Sequence, residues 1–107
     1  MLPEIKRVAT EYKEGLKALY GSELSEVILF GSYARGDYHS ESDLDFAVVL
    51  KNPNIRPSAE ILKIAPVSSR ISLKHGIMIS SLAVSSEKKE RSMQWVYQAI
   101  RTEGISI

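Results

Sequence analysis

An α/β fold is what this sequence predicts, and three observations predict it. Segments with helical spacing of apolar residues alternate with short apolar runs of strand length. Nearly every junction carries a Gly, Pro or Ser of the kind that starts or stops an element. No internal repeat, low-complexity tract or interdomain linker interrupts the series, so one domain over residues 1–107 is expected. The order is helix, strand, short helix, strand, helix, strand, helix.

The first helix follows from Ile5, Val8, Tyr12, Leu16 and Leu19, spaced 3, 4, 4 and 3, with Pro3 suited to a first turn and Gly21 to a C-cap. Val27 to Phe30 is a short apolar run stopped by Gly31 and Ser32, as in a buried strand feeding a turn. Ser32 to Arg35 is a candidate short helix ended by Gly36. Leu44 to Leu50 is the most strand-like run, followed by the loop KNPNIRP. Ser58 can cap a helix from about Ala59 to His75, kinked or divided at Pro66, with Gly76 after its end. Ile77 to Val84 reads as a third strand. Ser85 or Ser86 then opens a last helical region reaching Glu103.

Composition excludes several classes. Apolar residues are 44% and charged residues 25%, ordinary for a globular protein and unlike a disordered one. Fourteen Lys and Arg against thirteen Asp and Glu give a net charge of +1, so direct nucleic-acid binding is not expected. Without cysteine there is no disulfide framework and no thiolate metal site, and the expected location is the reducing cytoplasm. MLPEIKRVATEY lacks the apolar core of a signal peptide, and no run approaches the ~18 residues of a membrane span.

The chemistry concentrates in GSYARGDYHSESDLD, residues 31–45. Asp is a poor strand former and costly to bury, yet Asp43 and Asp45 head the strand FAVVL. Side chains alternate along a strand, so the two carboxylates share a face with Cα atoms roughly 6.5 to 7 Å apart, and Leu44 points into the core. Carboxylates so spaced can converge on a divalent ion, and hard oxygen donors favour Mg²⁺ or Mn²⁺. Gly31 ends a strand where backbone can approach a ligand closely, Ser32 adds a hydroxyl to outward-facing N–H groups, and Arg35 is one helical turn further on. An anion cradle on one strand end beside a metal clamp on the next describes a site for a metal-bound nucleoside triphosphate.

Gly31-Ser32, ten intervening residues and Asp43-Leu44-Asp45 resemble the signature of the DNA polymerase beta-like nucleotidyltransferases, with the Ala34-Arg35-Gly36 of their minimal members. Over nearly its whole length the chain is similar to the minimal nucleotidyltransferase antitoxins, the MntA-like partners of HEPN toxins, down to the strand in GIMISSLAVSS and the closing IRTEGISI. The resemblance implies a short mixed sheet with helices packed mainly on one face. It implies that Gly31 and Ser32 hold the triphosphate of ATP, that Arg35 assists there, and that Asp43 and Asp45 are the catalytic metal ligands. One departure from the pattern stands out. Many members carry a third carboxylate on the following strand, but no Asp or Glu occurs from Ile61 through Ser86. Met78 or Ser80 takes that place, depending on register. The acceptor hydroxyl then needs activation by metal, by Glu41 or Asp37, or by the partner.

The activity so implied is that of a type VII-like antitoxin transferring AMP from ATP to a hydroxyl, tyrosine foremost, of a cognate HEPN toxin. The competing readings are an inactive antitoxin that neutralises by binding and a small-molecule nucleotidyltransferase. Homo-oligomerisation is left open. Of the remaining residues, His39 reads as a solvated loop residue, and His75 suits a helix C-terminus. Residues 87–91, EKKER, read as a solvated helix face, and Tyr33 and Tyr38 as packing groups. The spacing of Trp95, Tyr97 and Ile100 does not decide between core and partner-facing roles.

Overall fold

Pro3 does open a helix. The computed structural model describes residues 1–107, and its first element, α1 (Pro3–Tyr20), places Pro3 where a missing N–H breaks no helical bond. Gly21 ends it with φ 56°. Ile5, Val8, Tyr12 and Leu16 are buried as the spacing predicts, whereas Leu19 stays exposed near the helix end. β1 (Leu24–Phe30) starts three residues before the apolar run, because Leu24 and Glu26 pair through backbone with Leu50 and Val49 across a register shift. After the one-turn helix α2 (Ser32–Arg35), ended by Gly36 in the left-handed region, the chain enters β2 (Leu44–Leu50).

The crossover is α3 (Pro57–His75), and its expected start and cap need correcting. It is N-capped by Arg56 and starts at Pro57; Ser58 is already inside the first turn. Pro66 does not divide it. Pro66 and Leu62, whose carbonyl the ring crowds, both lie on the exposed side, where water can satisfy the freed carbonyl. Gly76 closes the helix in the left-handed conformation. β3 (Ile79–Ser85) follows, and the Ser85 hydroxyl accepts the Lys88 N–H at 3.2 Å to cap α4 (Ser86–Arg91). The expected single last helix is in fact two, with α5 (Trp95–Glu103) beginning after a break at 92–94. The Arg101 guanidinium donates to the carbonyls of Lys89 and Ser92 at 2.7 and 2.8 Å, satisfying groups that the break leaves open. A two-residue strand, β4 (Ile105–Ser106), is too short to give a sequence pattern.

The sheet order is β3-β2-β1-β4, antiparallel except for the parallel β2–β3 pair joined through α3. This is the mixed sheet expected. One face, carrying Val27, Leu29, Leu44, Phe46 and Val48, packs on α1 and α3, with the Tyr12 and Phe46 rings 4.7 Å apart. The two helices meet closely at Gly15, where a Cβ would lie 2.6 Å from Val67 Cγ1. The other face buries Ile28, Ala47, Val49 and Val84 beneath Ile100 of α5. The long helices thus lie on one side, and α5 covers only part of the other. Beyond the edge of that cover, Asp45 is half-buried and Ser80 is exposed.

Candidate active site

Antiparallel pairing sets Phe30 directly across from Asp45. The next residue, Gly31, turns the chain out of the sheet with φ 75° and ψ −155°, a conformation L side chains rarely adopt. A Cβ there would overlap Asp45 Oδ2 and sit 3.1 Å from its Cγ. The Asp45 carboxylate therefore rests against the bare Cα of Gly31, and the two halves of the motif are in contact.

Beyond Gly31 the chain makes its one helical turn. The Gly31 carbonyl accepts the N–H groups of Ala34 and Arg35 at 3.1 and 3.0 Å. The N–H groups of Ser32 and Tyr33, first in the turn, have no acceptor in the protein. The Ser32 carbonyl accepts from Gly36 and Asp37, which locks the turn from behind.

Asp43 is exposed and Leu44 between the two aspartates is fully buried, so the alternation holds. Burial raises the Asp45 carboxyl above the usual carboxylate range, the charge of Asp43 adds to this, and Arg35 partly offsets it. Arg35 itself donates from Nε to Asp37 Oδ2 and from Nη1 to Glu103 Oε1, each at 3.1 Å. Its guanidinium is held still more firmly protonated, first by Asp37.

Parallel pairing puts Ser80 opposite Asp45, while Met78 accepts the Leu44 N–H at 2.9 Å through its carbonyl. Of the two residues predicted for the third position, Ser80 is the one in register. No group of three or more His, Cys, Asp or Glu side chains forms a ready-made metal site. The pair alone nonetheless suits a hard divalent cation. It offers two carboxylates on one face of the strand, with the charge of Asp43 acting on Asp45.

On the side of Asp43 alone, a hollow of about 350 Å³ is lined by Asp43, Glu41, Tyr38, His75 and Met78; Asp45 does not reach it. Tyr33 and Tyr38 stack on each other, centroids 4.3 Å apart, so they pack as expected. His39 organises its own loop, with Nδ1 accepting the Glu41 N–H at 3.2 Å. His75 lies 2.8 Å from Glu11, whose carboxyl it holds below the usual range, Lys74 contributing less. Lys89, within the EKKER segment, reaches Glu26 on β1 at 3.2 Å, so that helix face is not wholly solvated. Ile100 is core and Trp95 is 81% exposed. The sequence reading missed Glu103, which lies 68 positions from Arg35 and has no local pattern to reveal it.

Gly31 thus lies against Asp45, with Asp43 two residues before it on the same strand end, at the open end of the mixed sheet. The model of the Nucleotidyltransferase domain family matches residues 9–99. A Methanocaldococcus jannaschii protein named "Putative protein adenylyltransferase MJ0141" is 44% identical over 80 residues, 74% of this chain and 78% of its own. A "putative nucleotidyltransferase" structure from Sulfolobus solfataricus superposes with a TM-score of 0.69 at 20% identity, covering 96% of this chain and 80% of that one. A toxin-antitoxin crystal structure with AMP-PNP superposes with a TM-score of 0.60 at 19% identity, covering 98% and 72%. This chain belongs to the nucleotidyltransferase domain family. No helix is long and apolar enough to cross a membrane.

Proposed function

We propose that this protein is a metal-dependent protein adenylyltransferase that transfers AMP from ATP to a tyrosine hydroxyl of a cognate HEPN-type toxin and thereby neutralises it. The observation that carries this reading is the seat of Asp45 on Gly31 with Asp43 beside it. The relatives named as protein adenylyltransferases and the toxin-antitoxin neighbour with AMP-PNP support the choice of nucleotide, group transferred and partner.

In this reading the free N–H groups of Ser32 and Tyr33 and the Ser32 hydroxyl receive the triphosphate, and Arg35 directs its three remaining N–H donors to the same oxygens. Asp43 and Asp45 would hold Mg²⁺ or Mn²⁺, which would supply neutralisation of charge on the triphosphate. The acceptor oxygen bonds to the α-phosphorus, the bond from that phosphorus to the pyrophosphate oxygen breaks, and the acceptor loses its proton. Asp37 is occupied by Arg35, whereas Glu41 lines the hollow beside Asp43, so Glu41 is the carboxylate available to take that proton.

Incubation of a small amount of this protein with ATP, Mg²⁺ and the toxin is the direct test. The toxin should gain the mass of one or more AMP groups at substoichiometric ratio and stay inactive after the protein is removed. Small hydroxylic acceptors should remain unmodified. An inhibited toxin of unchanged mass, active again once freed, would decide for neutralisation by binding. One observation favours that second reading: the residue opposite Asp45 on β3 is Ser80, not a carboxylate. Ser80→Asp therefore should accelerate transfer about tenfold, below the ~10²-fold or more of an optimally placed base. A flat or lower rate would show that position 80 does not face the acceptor.

A further inference from the structure

Glu103 is the last residue of α5, where a carboxylate opposes the helix dipole, so something must offset its charge. It meets Arg35, and the pairing spans the site: α2 and its loop contribute Arg35 and Asp37, and the end of the chain contributes Glu103. The end of the chain is firmly fixed. Ile105 and Ser106 pair with Leu29 and Ile28, the Ile107 N–H donates to Val27 at 2.9 Å, and Lys13 donates to the Ile107 carbonyl. Gly104 lies so close to β1 that a Cβ would overlap Ile28 Cγ2 and the Ile100 carbonyl. Glu103 is thus anchored on both sides, by the buried Ile100 and by β4. Asp37 is anchored by neither and is 61% exposed.

We propose that Glu103 is a positioning residue that fixes the plane of the Arg35 guanidinium beside the Gly31–Ser32 turn, so that the unused N–H donors are presented to the triphosphate. The inference rests on the proposed role of that turn in nucleotide binding. A single acceptor at Nε leaves the guanidinium free to swing about that bond. A second acceptor at Nη1, on a different and rigid element, removes that freedom before the nucleotide arrives.

The test is a double-mutant cycle read by binding of a fluorescent ATP analogue with Mg²⁺ to the full chain, with thermal melting measured alongside. Glu103→Ala should raise Kd about tenfold, the scale of one charge-assisted hydrogen bond, and Glu103→Gln, which keeps an acceptor for Nη1, should stay within about threefold. In an Arg35→Ala background, Glu103→Ala should have no further effect on Kd, whatever it does to melting. Equal weakening in both backgrounds would mean a merely structural role and overturn the proposal. So would an unchanged Kd in Glu103→Ala with Arg35→Ala still impaired. Failure of the wild-type protein to bind the analogue would instead overturn the nucleotide-binding reading itself, and this inference with it.

Discussion

Asp43→Asn combined with Asp45→Asn is expected to abolish nucleotidyl transfer while raising the melting temperature of the free protein. The two effects have one cause. Asp45 sits partly buried beside a like charge, so its carboxyl is raised, by burial first and by Asp43 second. A carboxyl raised in the folded state contributes stability that is full below its unfolded pKa and lost as pH rises through its folded pKa. At neutral pH the charged pair therefore costs stability, and Asn at both positions removes that cost. The gain should shrink as pH falls and vanish below the ordinary aspartate value of 3.8, where the wild-type Asp45 is neutral too. Transfer should fall by a factor of about 10³ or more, since no third His, Cys, Asp or Glu joins the pair in a group able to hold a metal ion. Adding ATP with Mg²⁺ should raise the melting temperature of the wild type, by up to ~2.7 kcal/mol of stability at a hundredfold excess over Kd, and leave the double variant unmoved. Melting curves between pH 3 and 8, with and without Mg²⁺ and ATP, together with a labelled-nucleotide transfer assay, check each part. Transfer surviving in the double variant would remove the catalytic assignment.

Much of this site was legible because its signals are local. Period-two alternation puts Leu44 in the core and both aspartates outside it, and the structure follows. The Gly31–Asp45 contact follows from two adjacent strands that each end at the motif, which the short apolar runs already suggested. The choice between Met78 and Ser80 needed the parallel register of β2 with β3, which depends on how α3 docks and not on the strand's own residues. The break between α4 and α5 has no Gly or Pro to mark it; Arg101 stabilises it from nine residues away. Pro66 does not divide α3, because Ile64, Val67 and Ile71 pack on the other side of the helix and hold it through the breaker. Glu103 and β4 were illegible because they act only through tertiary contact with Arg35 and β1.

Gly31→Ala should damage both the fold and the reaction, and the two contributions can be separated. The first is backbone strain. At φ 75° and ψ −155° an alanine occupies a region almost reserved for glycine, at a cost on the order of 1–3 kcal/mol. The second is overlap of the new methyl with the Asp45 carboxylate, which must shift to make room. Gly36→Ala is the control. Its φ of 88° and ψ of 6° are left-handed too, but nothing lies within 4 Å of a Cβ there, so its cost should be strain alone, about 1–2 kcal/mol, with transfer largely retained. Pairing Gly31→Ala with Asp45→Ala removes the overlap and keeps the strain, so the destabilisation measured by urea unfolding should be smaller in that background than in the wild type. Transfer in the single Gly31→Ala variant should drop by about a hundredfold or more, as expected when a reacting geometry is misplaced by an ångström. Equal destabilisation by Gly31→Ala in both backgrounds would mean that Asp45 does not rest on Gly31 in solution. The contact joining the two halves of the motif would then have to be abandoned, along with the shared site built on it.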